Sequence, residues 1–246
     1  MTVDRVRREH AQDGYDVRCE WGREGVALLS GRCAVVVVVD VLSFSTAVDV
    51  AVGRGAAVLP LPWRDERAAA DAGAVLAGSR HDPGPTLSPS SLATLPAGTR
   101  LALPSPNGAA LCALASGSGA HVLAGCLRNV AAVARTAQYL AAGGPIGLIP
   151  AGERWELPGE PMRPALEDAL GAGAIAAVLP GAFSPEAELA AQSFAAGRSR
   201  GLHGVLAASV SGRELVTDGF AADVGLAAAV DASDVAPRLR DGVLQP

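Results

Sequence analysis

The chain has 246 residues, half of them hydrophobic, and a formal net charge of -5, so it can fold around one large core without disulfides or structural metals. All 20 basic residues are arginines, which excludes a Schiff-base lysine, a pyridoxal phosphate site and a Walker A loop. The acidic charge and the lack of arginine-rich runs with interleaved aromatics exclude a nucleic-acid partner.

The cysteines and the apolar runs give expectations about location. Four widely spaced cysteines without a C-x-x-C pair predict buried thiols in a reducing compartment. The first residues are charged and lack the apolar core of a signal peptide. The longest apolar run, Cys33–Val39, is too short to span a bilayer. We therefore expect a cytoplasmic protein with no membrane partner, and a homo-oligomer is the default expectation for such a protein.

Short apolar runs alternate with alanine-rich stretches of helical length, which is typical of a parallel sheet with crossover helices. The predicted strands are Ala34–Val39, Ala57–Leu61, Arg100–Pro104, His121–Ala124 and Ile146–Pro150. The predicted helices are Ser45–Val52, Arg64–Leu76, Ala109–Ser116, Val130–Ala141, Pro164–Val178, Pro185–Ala195 and Gly212–Val216. The run Val35–Val39 has no polar alternation, so it is predicted to lie centrally in the sheet with both faces covered.

These elements predict an α/β fold, a layered sandwich with a mostly parallel central sheet and a helix-rich C-terminal portion. We expect one domain over residues 1–246, within which residues 180–246 could form a helical sub-portion. The segment His81–Pro96 is dense in proline and serine and is predicted to be a long surface loop that could act as a lid.

Ligands of open parallel sheets bind beyond the carboxyl ends of the strands, so the residues after each predicted strand are the first candidates. Asp40 ends the most apolar strand, and Ser43, Ser45 and Thr46 follow it at the start of a helix. A carboxylate at the end of a buried strand needs a counter-charge, a metal or backbone donors. The same Asp and Ser residues could instead serve only as helix caps.

Two further strand exits carry groups that bind anions. Asn107 and Gly108 precede an alanine-rich helix, where backbone N–H groups can meet an anion, although Pro-Asn-Gly is also an ordinary turn. Arg128 and Asn129 follow the fourth strand. Arg128 could hold a phosphate with two hydrogen bonds, as could any surface arginine.

The fifth strand exit and the helix after it supply more acids. Glu153 and Arg154 follow the strand, and Glu167 and Asp168 fall in the first turn of a predicted helix. Successive helical residues point about 100° apart, so we expect one of these two acids to bind a metal while the other serves the fold. The helix dipole alone also favours acids in a first turn.

Taken together, Asp40, Glu153, Glu167 and Asp168 are hard oxygen donors, whereas Arg80, Arg128, Arg154 and the Asn107-Gly108 turn bind anions. This combination suits Mg²⁺ and a phosphorylated substrate. The histidines have no ligand spacing, which disfavours zinc.

Two glycine motifs have structural explanations. Gly197-Arg198-Ser199-Arg200-Gly201 fits G-x-S-x-G but follows a predicted helix instead of a strand. Gly171-Ala172-Gly173 resembles part of a dinucleotide loop, yet no strand precedes it, and we interpret it as a site of close helix packing.

The order of the motifs resembles the 2-phosphosulfolactate phosphatase (ComB) family over about residues 30–242. The matching segments are Asp40-Val41-Leu42 with Ser45-Thr46, Asn107-Gly108, Asn129, Ala151-Gly152, Glu167-Asp168 with Gly171-Ala172-Gly173, Ser211-Gly212-Arg213-Glu214-Leu215, Gly219, Asp223, and Asp231, Val235 and Pro237. The resemblance implies a Mg²⁺-dependent phosphomonoester hydrolase of α/β architecture that makes sulfolactate on the route to coenzyme M.

The chain departs from the family pattern near the implied site. Ser43 replaces the arginine after Asp-Val-Leu, Gly78-Ser79-Arg80 replaces Gly-Glu-Arg, and Pro106 replaces the threonine before Asn-Gly. Extra residues also separate Glu153 from Glu167. Serine cannot form the two hydrogen bonds to an anion that arginine forms. These changes therefore most affect the implied preference for a substrate with a sulfonate group.

The leading hypothesis is a Mg²⁺-dependent phosphatase for a small, acidic phosphate monoester. Asp40 with Glu167 or Asp168 would hold the metal, and Glu153 would be the general base or a further ligand. Phosphate would contact Ser43, Ser45, Thr46, Asn107, Gly108, Arg128 and Asn129, and Arg80 and Arg154 would reach the second anionic group. The alternative is a non-catalytic binding protein for small anionic metabolites on the same fold.

Overall fold

The computed structural model describes residues 8–155 and 157–246. Its strands are β1 Val17–Cys19, β2 Val35–Val39, β3 Ala57–Leu61, β4 Val75–Leu76, β5 Arg100–Pro104, β6 His121–Gly125, β7 Ile146–Pro150, β8 Glu153–Arg154, β9 Met162–Arg163, β10 Arg238–Arg240 and β11 Val243–Gln245. Its α-helices are α1 Gly22–Leu29, α2 Phe44–Gly53, α3 Glu66–Asp71, α4 Gly108–Ala115, α5 Val130–Ala141, α6 Leu166–Ala176, α7 Pro185–Ser199, α8 Leu202–Ala208, α9 Val210–Thr217 and α10 Ala221–Ala227. Short 3₁₀ helices cover Arg8–Ala11, Pro89–Leu92 and Leu127–Asn129.

The main sheet of the described chain has nine strands in the order β1-β7-β2-β6-β10-β11-β3-β5-β4. Strands β1, β7, β2 and β6 are parallel to one another, and so are β3, β5 and β4. The hairpin β10–β11 lies between these two groups and pairs antiparallel with β6 and with β3. The mostly parallel sheet and all five predicted strands are confirmed, within one residue at each end.

Strand β2 lies between β6 and β7, and all five of its valines are fully buried. Val35, Val37 and Val39 pack in one cluster with residues of α5, α6 and α7. Val36 and Val38 pack on the opposite face with residues of α1, α2 and α4. The prediction that this run is covered on both faces is therefore confirmed, and the molecule has three layers with the sheet in the middle.

Several element predictions were wrong or incomplete. The predicted helix Arg64–Leu76 ends at Asp71, because Gly73 adopts a left-handed φ of 60° and Val75–Leu76 then pairs with β5 as an edge strand. The C-terminal portion is helix-rich from α6 to α10, as predicted, but it ends in the β10–β11 hairpin that enters the sheet. Strand β1 and helices α1, α8 and α10 were not predicted.

The segment His81–Pro96 is a loop, as predicted, but its second half is packed into the molecule. Leu92 is fully buried in the same cluster as α2, and Thr86 bridges to Gly78. The four cysteines are free and buried, as their spacing predicted. Among the described residues no helix is both long and apolar enough to cross a bilayer.

The connections leaving β2 and β7 run to opposite faces of the sheet. After β2 the chain enters α2 on one face, and after β7 it reaches α6 on the other. Because β2 and β7 are neighbours, their carboxyl ends form the crevice in which open α/β sheets bind ligands.

Candidate active site

Four carboxylates converge at the crevice between β2 and β7. Asp40 directly follows β2, Glu153 begins β8 just after β7, and Glu167 and Asp168 lie in the first turn of α6. We call these four residues the acidic cluster. Their charges act on one another: Asp40 and Glu167 raise the pKa of both Glu153 and Asp168. The convergence that the strand exits predicted is present in the structure.

Asp40 is held between the beginnings of two helices. Its Oδ1 accepts the backbone N–H of Phe44, at the start of α2, at 3.2 Å, and its Oδ2 accepts that of Gly108, at the start of α4, at 2.8 Å. Burial raises the pKa of Asp40 to about 6, against these backbone donors, and the charge of Glu167 acts in the same direction as burial. A carboxylate oriented by two amides and kept from bulk water is a candidate ligand for a cation.

Gly108 is required at this position by the close approach of the chain to Asp40. A Cβ atom on Gly108 would lie 2.8 Å from Oδ2 of Asp40 and would collide with the ring of Phe44. The N–H that the sequence predicted to meet an external anion is therefore bound to the protein's own carboxylate.

Asp168 ties the two strand exits together. Its Oδ1 accepts the backbone N–H of Val41, just after β2, at 2.7 Å, and its Oδ2 accepts that of Gly152, just after β7, at 2.9 Å. Burial and the charges of Asp40 and Glu167 raise its pKa well above the usual range. Because Asp168 bridges the turns after β2 and β7, it is the acid of the Glu167–Asp168 pair that organises the crevice.

Glu167 is 2% exposed, and no hydrogen bond to its side chain is found within the described residues. Of the two acids on α6 it is therefore the one with oxygens available to a ligand. One acid of the pair, Asp168, serves the fold, as predicted. The metal-binding role of the other acid stays a prediction.

Glu153 lies at the start of β8, just after β7. Its Oε1 accepts a short hydrogen bond from Nδ2 of Asn107, which precedes α4. Burial and the charge of Asp40 raise the pKa of Glu153 to about 7. A carboxyl group with this pKa exchanges protons readily at neutral pH, which is what a general base or acid requires.

The donor set of the acidic cluster fits Mg²⁺. In residues 8–155 and 157–246, no three His, Cys, Asp or Glu side chains form a ready-made metal group. Mg²⁺, however, is usually held by one or two carboxylates, with water and substrate phosphate completing its shell. Asp40 and Glu167 supply such a pair. Burial chiefly raises the pKa of Asp40, and a divalent cation would offset the repulsion by Glu167 that adds to this effect.

Arg80 brings positive charge to the same crevice. Its Nη2 donates to Oγ of Ser43 at 3.3 Å, so its guanidinium lies at the turn after Asp40. Burial lowers the pKa of Arg80, whereas the charges of Asp223, Asp40 and Glu153 act against this effect. Ser43 and Arg80 are thus brought together with the acidic cluster, as predicted.

A cavity of about 230 Å³ adjoins Glu153. Its lining includes Gly22, Pro106, Asn107, Glu153, Arg154 and Met162. Arg154 donates to the carbonyl of Pro106 at 3.4 Å and pairs with Glu160 at 3.5 Å, and its buried Nε has no hydrogen-bond partner within the described structure. Of the acidic cluster only Glu153 lines this cavity, so a small acid held there would lie beside Glu153.

Four other predicted phosphate contacts are engaged within the fold. Oγ of Ser45 accepts the N–H of Asp40 at 3.0 Å, and Oγ1 of Thr46 donates to the carbonyl of Val41 at 2.7 Å. Asn129 is fully buried and closes the turn at Cys126. Arg128 forms a 2.8 Å ion pair with Asp49 on α2. These side chains fix the strand exits through hydrogen bonds within the protein.

Asp223 and Arg163 were not predicted as site residues, although both affect the candidate site. Asp223 on α10 pairs with Arg80 at 3.2 Å, and the charge of Arg163 lowers the pKa of Glu153. Asp223 is the only charged residue between Gly219 and Val230. A lone charge in an apolar stretch indicates a buried polar partner, and that signal could have identified Asp223.

One comparison with known proteins gives a match. The family model described as 2-phosphosulpholactate phosphatase matches residues 27–242, a range that includes every residue of the acidic cluster. No curated protein matches the chain.

Proposed function

The chain belongs to the 2-phosphosulpholactate phosphatase family, a family of phosphoric monoester hydrolases, and from this premise we propose that it is a Mg²⁺-dependent phosphatase. Its substrate would be a small phosphate monoester with a second acidic group, such as 2-phosphosulfolactate or a related 2-phospho acid. The observation that carries the proposal is the convergence of four carboxylates and Arg80 in the crevice between β2 and β7.

Asp40 and Glu167 would hold the metal. Asp40 is oriented by the amides of Phe44 and Gly108, and Glu167 has oxygens that no described donor occupies. Mg²⁺, when bound, would neutralise charge on the phosphoryl oxygens and orient the phosphate. Asp168 would keep the turns after β2 and β7 at a fixed separation through its bonds to Val41 and Gly152.

Glu153 would be the general base. With a pKa raised to about 7, it is partly ionised at neutral pH and can accept a proton from the water that attacks phosphorus. Attack forms the new P–O bond as the bond from phosphorus to the ester oxygen breaks. The ester oxygen takes a proton from solvent, and Glu153 returns to solvent the proton that it accepted. Asn107 would orient Glu153 through the hydrogen bond to Oε1.

Arginines would bind the anionic groups of the substrate. Arg80 reaches the turn after Asp40, and Arg154 lines the cavity beside Glu153. Planar guanidinium groups match phosphate, carboxylate and sulfonate oxygens with paired hydrogen bonds. A protein with a net negative charge repels a multiply charged anion, so it needs such local positive charge to bind one.

The test is phosphate release from a panel of 2-phospho acids, including 2-phosphosulfolactate, with Mg²⁺ and with a chelator. We expect turnover that requires the metal. Asp40→Asn should lower kcat by roughly a thousandfold or more, because metal stabilisation of the transition state amounts to several kcal/mol. Asp71→Asn is the matched control, since that carboxylate is exposed on α3.

Three outcomes would contradict the proposal. Ligand binding without phosphate release at any Mg²⁺ concentration would favour the non-catalytic binding protein. Equal activity with and without chelator would remove the metal from the mechanism. A melting temperature that responds to neither Mg²⁺ nor phospho acids, in a protein without turnover, would indicate a structural role.

A further inference from the structure

A buried carboxylate on α10 lies behind Arg80 and outside the acidic cluster. The side chain of Asp223 has no exposed surface. Its Oδ2 accepts Nη1 of Arg80 at 3.2 Å, and its Oδ1 accepts Oγ of Ser88 at 2.8 Å and the backbone N–H of Ser90 at 3.0 Å. One carboxylate therefore connects α10, Arg80 and the loop that follows Arg80.

The guanidinium of Arg80 is fixed on two further sides. Its central carbon lies 5.2 Å from the centroid of the Phe220 ring, in a cation–π contact, and its Nη2 donates to Ser43. These hydrogen bonds use two of the five N–H donors of the side chain. The remaining donors make no hydrogen bond within the described residues, and the side chain of Arg80 is still 23% exposed.

Such an arrangement reduces the entropy that a flexible arginine loses on binding an anion. A free arginine samples many rotamers, and ordering them weakens binding. Asp223, Phe220 and Ser43 order Arg80 before any ligand arrives. The guanidinium lies near enough to Asp40 and Glu153 for their charges to act on it.

We propose that Asp223 is a positioning residue for substrate recognition: from α10 it fixes the guanidinium of Arg80 beside Ser43, where the unused N–H donors meet the second anionic group of the substrate. The inference rests on the proposed function for its choice of substrates. Helix α10 supplies no residue to the acidic cluster. According to this inference, it nevertheless controls which phospho acids are hydrolysed.

A purely structural role for Asp223 makes a different prediction. If Asp223 only anchored the loop through Ser88 and Ser90, its loss would affect all phosphate esters alike. If it positions Arg80, its loss affects chiefly substrates with a second anionic group, and it has little further effect once Arg80 is absent. A double-mutant cycle separates the two roles.

The experiment compares Asp223→Asn, Arg80→Ala and the double variant on two substrates. One is 2-phosphosulfolactate, and the other is phenyl phosphate, which has no second acidic group. We expect Asp223→Asn to raise the KM for 2-phosphosulfolactate roughly tenfold, as for the loss of one charged hydrogen bond, with a much smaller change in kcat. The KM for phenyl phosphate should change several-fold less, and Asp223→Asn should add little in the Arg80→Ala background.

A second variant and a binding measurement keep the inference testable. Phe220→Leu removes the ring under Arg80 while keeping the Asp223 contacts, so it replaces Asp223→Asn if that variant does not fold. It should shift the ratio of the KM values for 2-phosphosulfolactate and phenyl phosphate in the same direction. Calorimetric titration with sulfolactate, which carries the acid groups without phosphate, should show the same loss of affinity independently of turnover.

The outcomes distinguish this inference from the proposed function. Equal KM changes for both substrates, additive effects of the two substitutions, or a wild type without affinity for sulfolactate would overturn the role of Asp223. A wild type that hydrolyses neither ester, yet loses sulfolactate affinity in Asp223→Asn, would overturn the phosphatase and retain the role of Asp223.

Discussion

Asp40 joins two helices that begin on neighbouring parts of the crevice. The positive ends of α2 and α4 both point a backbone N–H at its carboxylate, and helix N-termini favour negative charge. Burial works against that charge, and the net result is a pKa of about 6. The carboxylate is thus held in place by the backbone yet remains poorly neutralised, which is the electrostatic state in which a cation gains most by binding.

Gly108→Ala tests how tightly this arrangement is built. The new methyl group would lie 2.8 Å from Oδ2 of Asp40 and against Phe44, so the start of α4 has to move away. We expect a loss of about 1–3 kcal/mol in the free energy of unfolding and at least a hundredfold loss of kcat, since small displacements at a reacting centre cost this much.

The control for Gly108→Ala is Gly117→Ala. Gly117 has open space around its Cβ position and is not among the residues with positive φ. Urea denaturation and steady-state kinetics on both variants give the comparison. Wild-type kcat in Gly108→Ala would contradict the assignment of Asp40 as the metal ligand held by this amide.

Glu153→Gln tests the general base. The base acts in its ionised form, so the wild-type rate should rise with pH up to about 7, or to a lower pH where bound Mg²⁺ lowers the pKa of Glu153. The glutamine variant should lose this pH dependence, and its kcat should fall by roughly 10²–10⁴-fold. Glu66→Gln is the control, because the Glu66 side chain is 82% exposed on α3 and does not line the cavity. An unchanged pH profile in Glu153→Gln would assign the proton transfer to another group.

The site residues differ in how far the sequence could predict them. Asp40, Glu153 and Glu167 were accessible because parallel strands place their carboxyl ends at one edge, whatever the details of packing. The partners of Ser45, Thr46 and Arg128 were not accessible. Whether a hydroxyl or guanidinium faces a ligand or the backbone depends on how α2 packs against the turn at Leu127–Asn129, and no pattern in one segment encodes that contact.

Helix α6 sets the distance between the acids and the sheet. A Cβ on Gly171 would lie 2.7 Å from Val41, and one on Gly173 would collide with the backbone of Ala190 in α7. The interpretation of Gly171-Ala172-Gly173 as a close-packing site is therefore confirmed. The two glycines let α6 sit deep enough for Asp168 to reach the turns after β2 and β7.

Gly173→Ala should consequently destabilise the protein more than an ordinary helix substitution. The colliding atoms are backbone atoms of α7, so the helices must separate, and we expect a loss of at least about 2 kcal/mol in the free energy of unfolding. Gly204→Ala, in the middle of α8 with open space around it, should instead gain about 0.5–1 kcal/mol from helix propensity. Urea titrations measure both, and equal effects would show that α6 and α7 are not packed through Gly173.

Elements with strong internal patterns were predicted, and elements defined by their neighbours were not. Helix α5 has the predicted bounds Val130–Ala141, because its apolar stripe and its flanking residues identify it locally. Strands β4 and β10 have two and three residues and exist only because β5, β6 and β11 pair with them. Val75–Leu76 continued an alanine-rich run and was therefore assigned to a helix.

The acidic cluster makes the stability of the whole molecule depend on pH. The folded-state pKa values of Asp40, Glu153 and Asp168 lie above ordinary values, so between about pH 4 and 7 the folded protein binds more protons than the unfolded chain. By linkage, these groups stabilise the fold less as pH rises through that range.

We therefore expect the metal-free protein to have a lower free energy of unfolding at pH 8 than at pH 5. The difference should be a few kcal/mol, since one pKa unit corresponds to about 1.4 kcal/mol. Urea denaturation with a chelator at constant ionic strength measures it. Glu153→Gln should show a smaller decrease, and Mg²⁺ at pH 8 should restore part of the loss. Stability that rises from pH 5 to 8 in the chelated wild type would contradict the described electrostatics.

The hairpin β10–β11 joins two parts of the sheet that carry different halves of the candidate site. Asp40 follows β2 on one side of the hairpin, whereas Gly108 follows β5 on the other. The hairpin comes after every other described strand in chain order, so during synthesis on the ribosome both halves emerge before the segment that aligns them. A variant in which residues 238–245 are deleted should thus be catalytically silent, because β6 and β3 are then no longer connected through the hairpin.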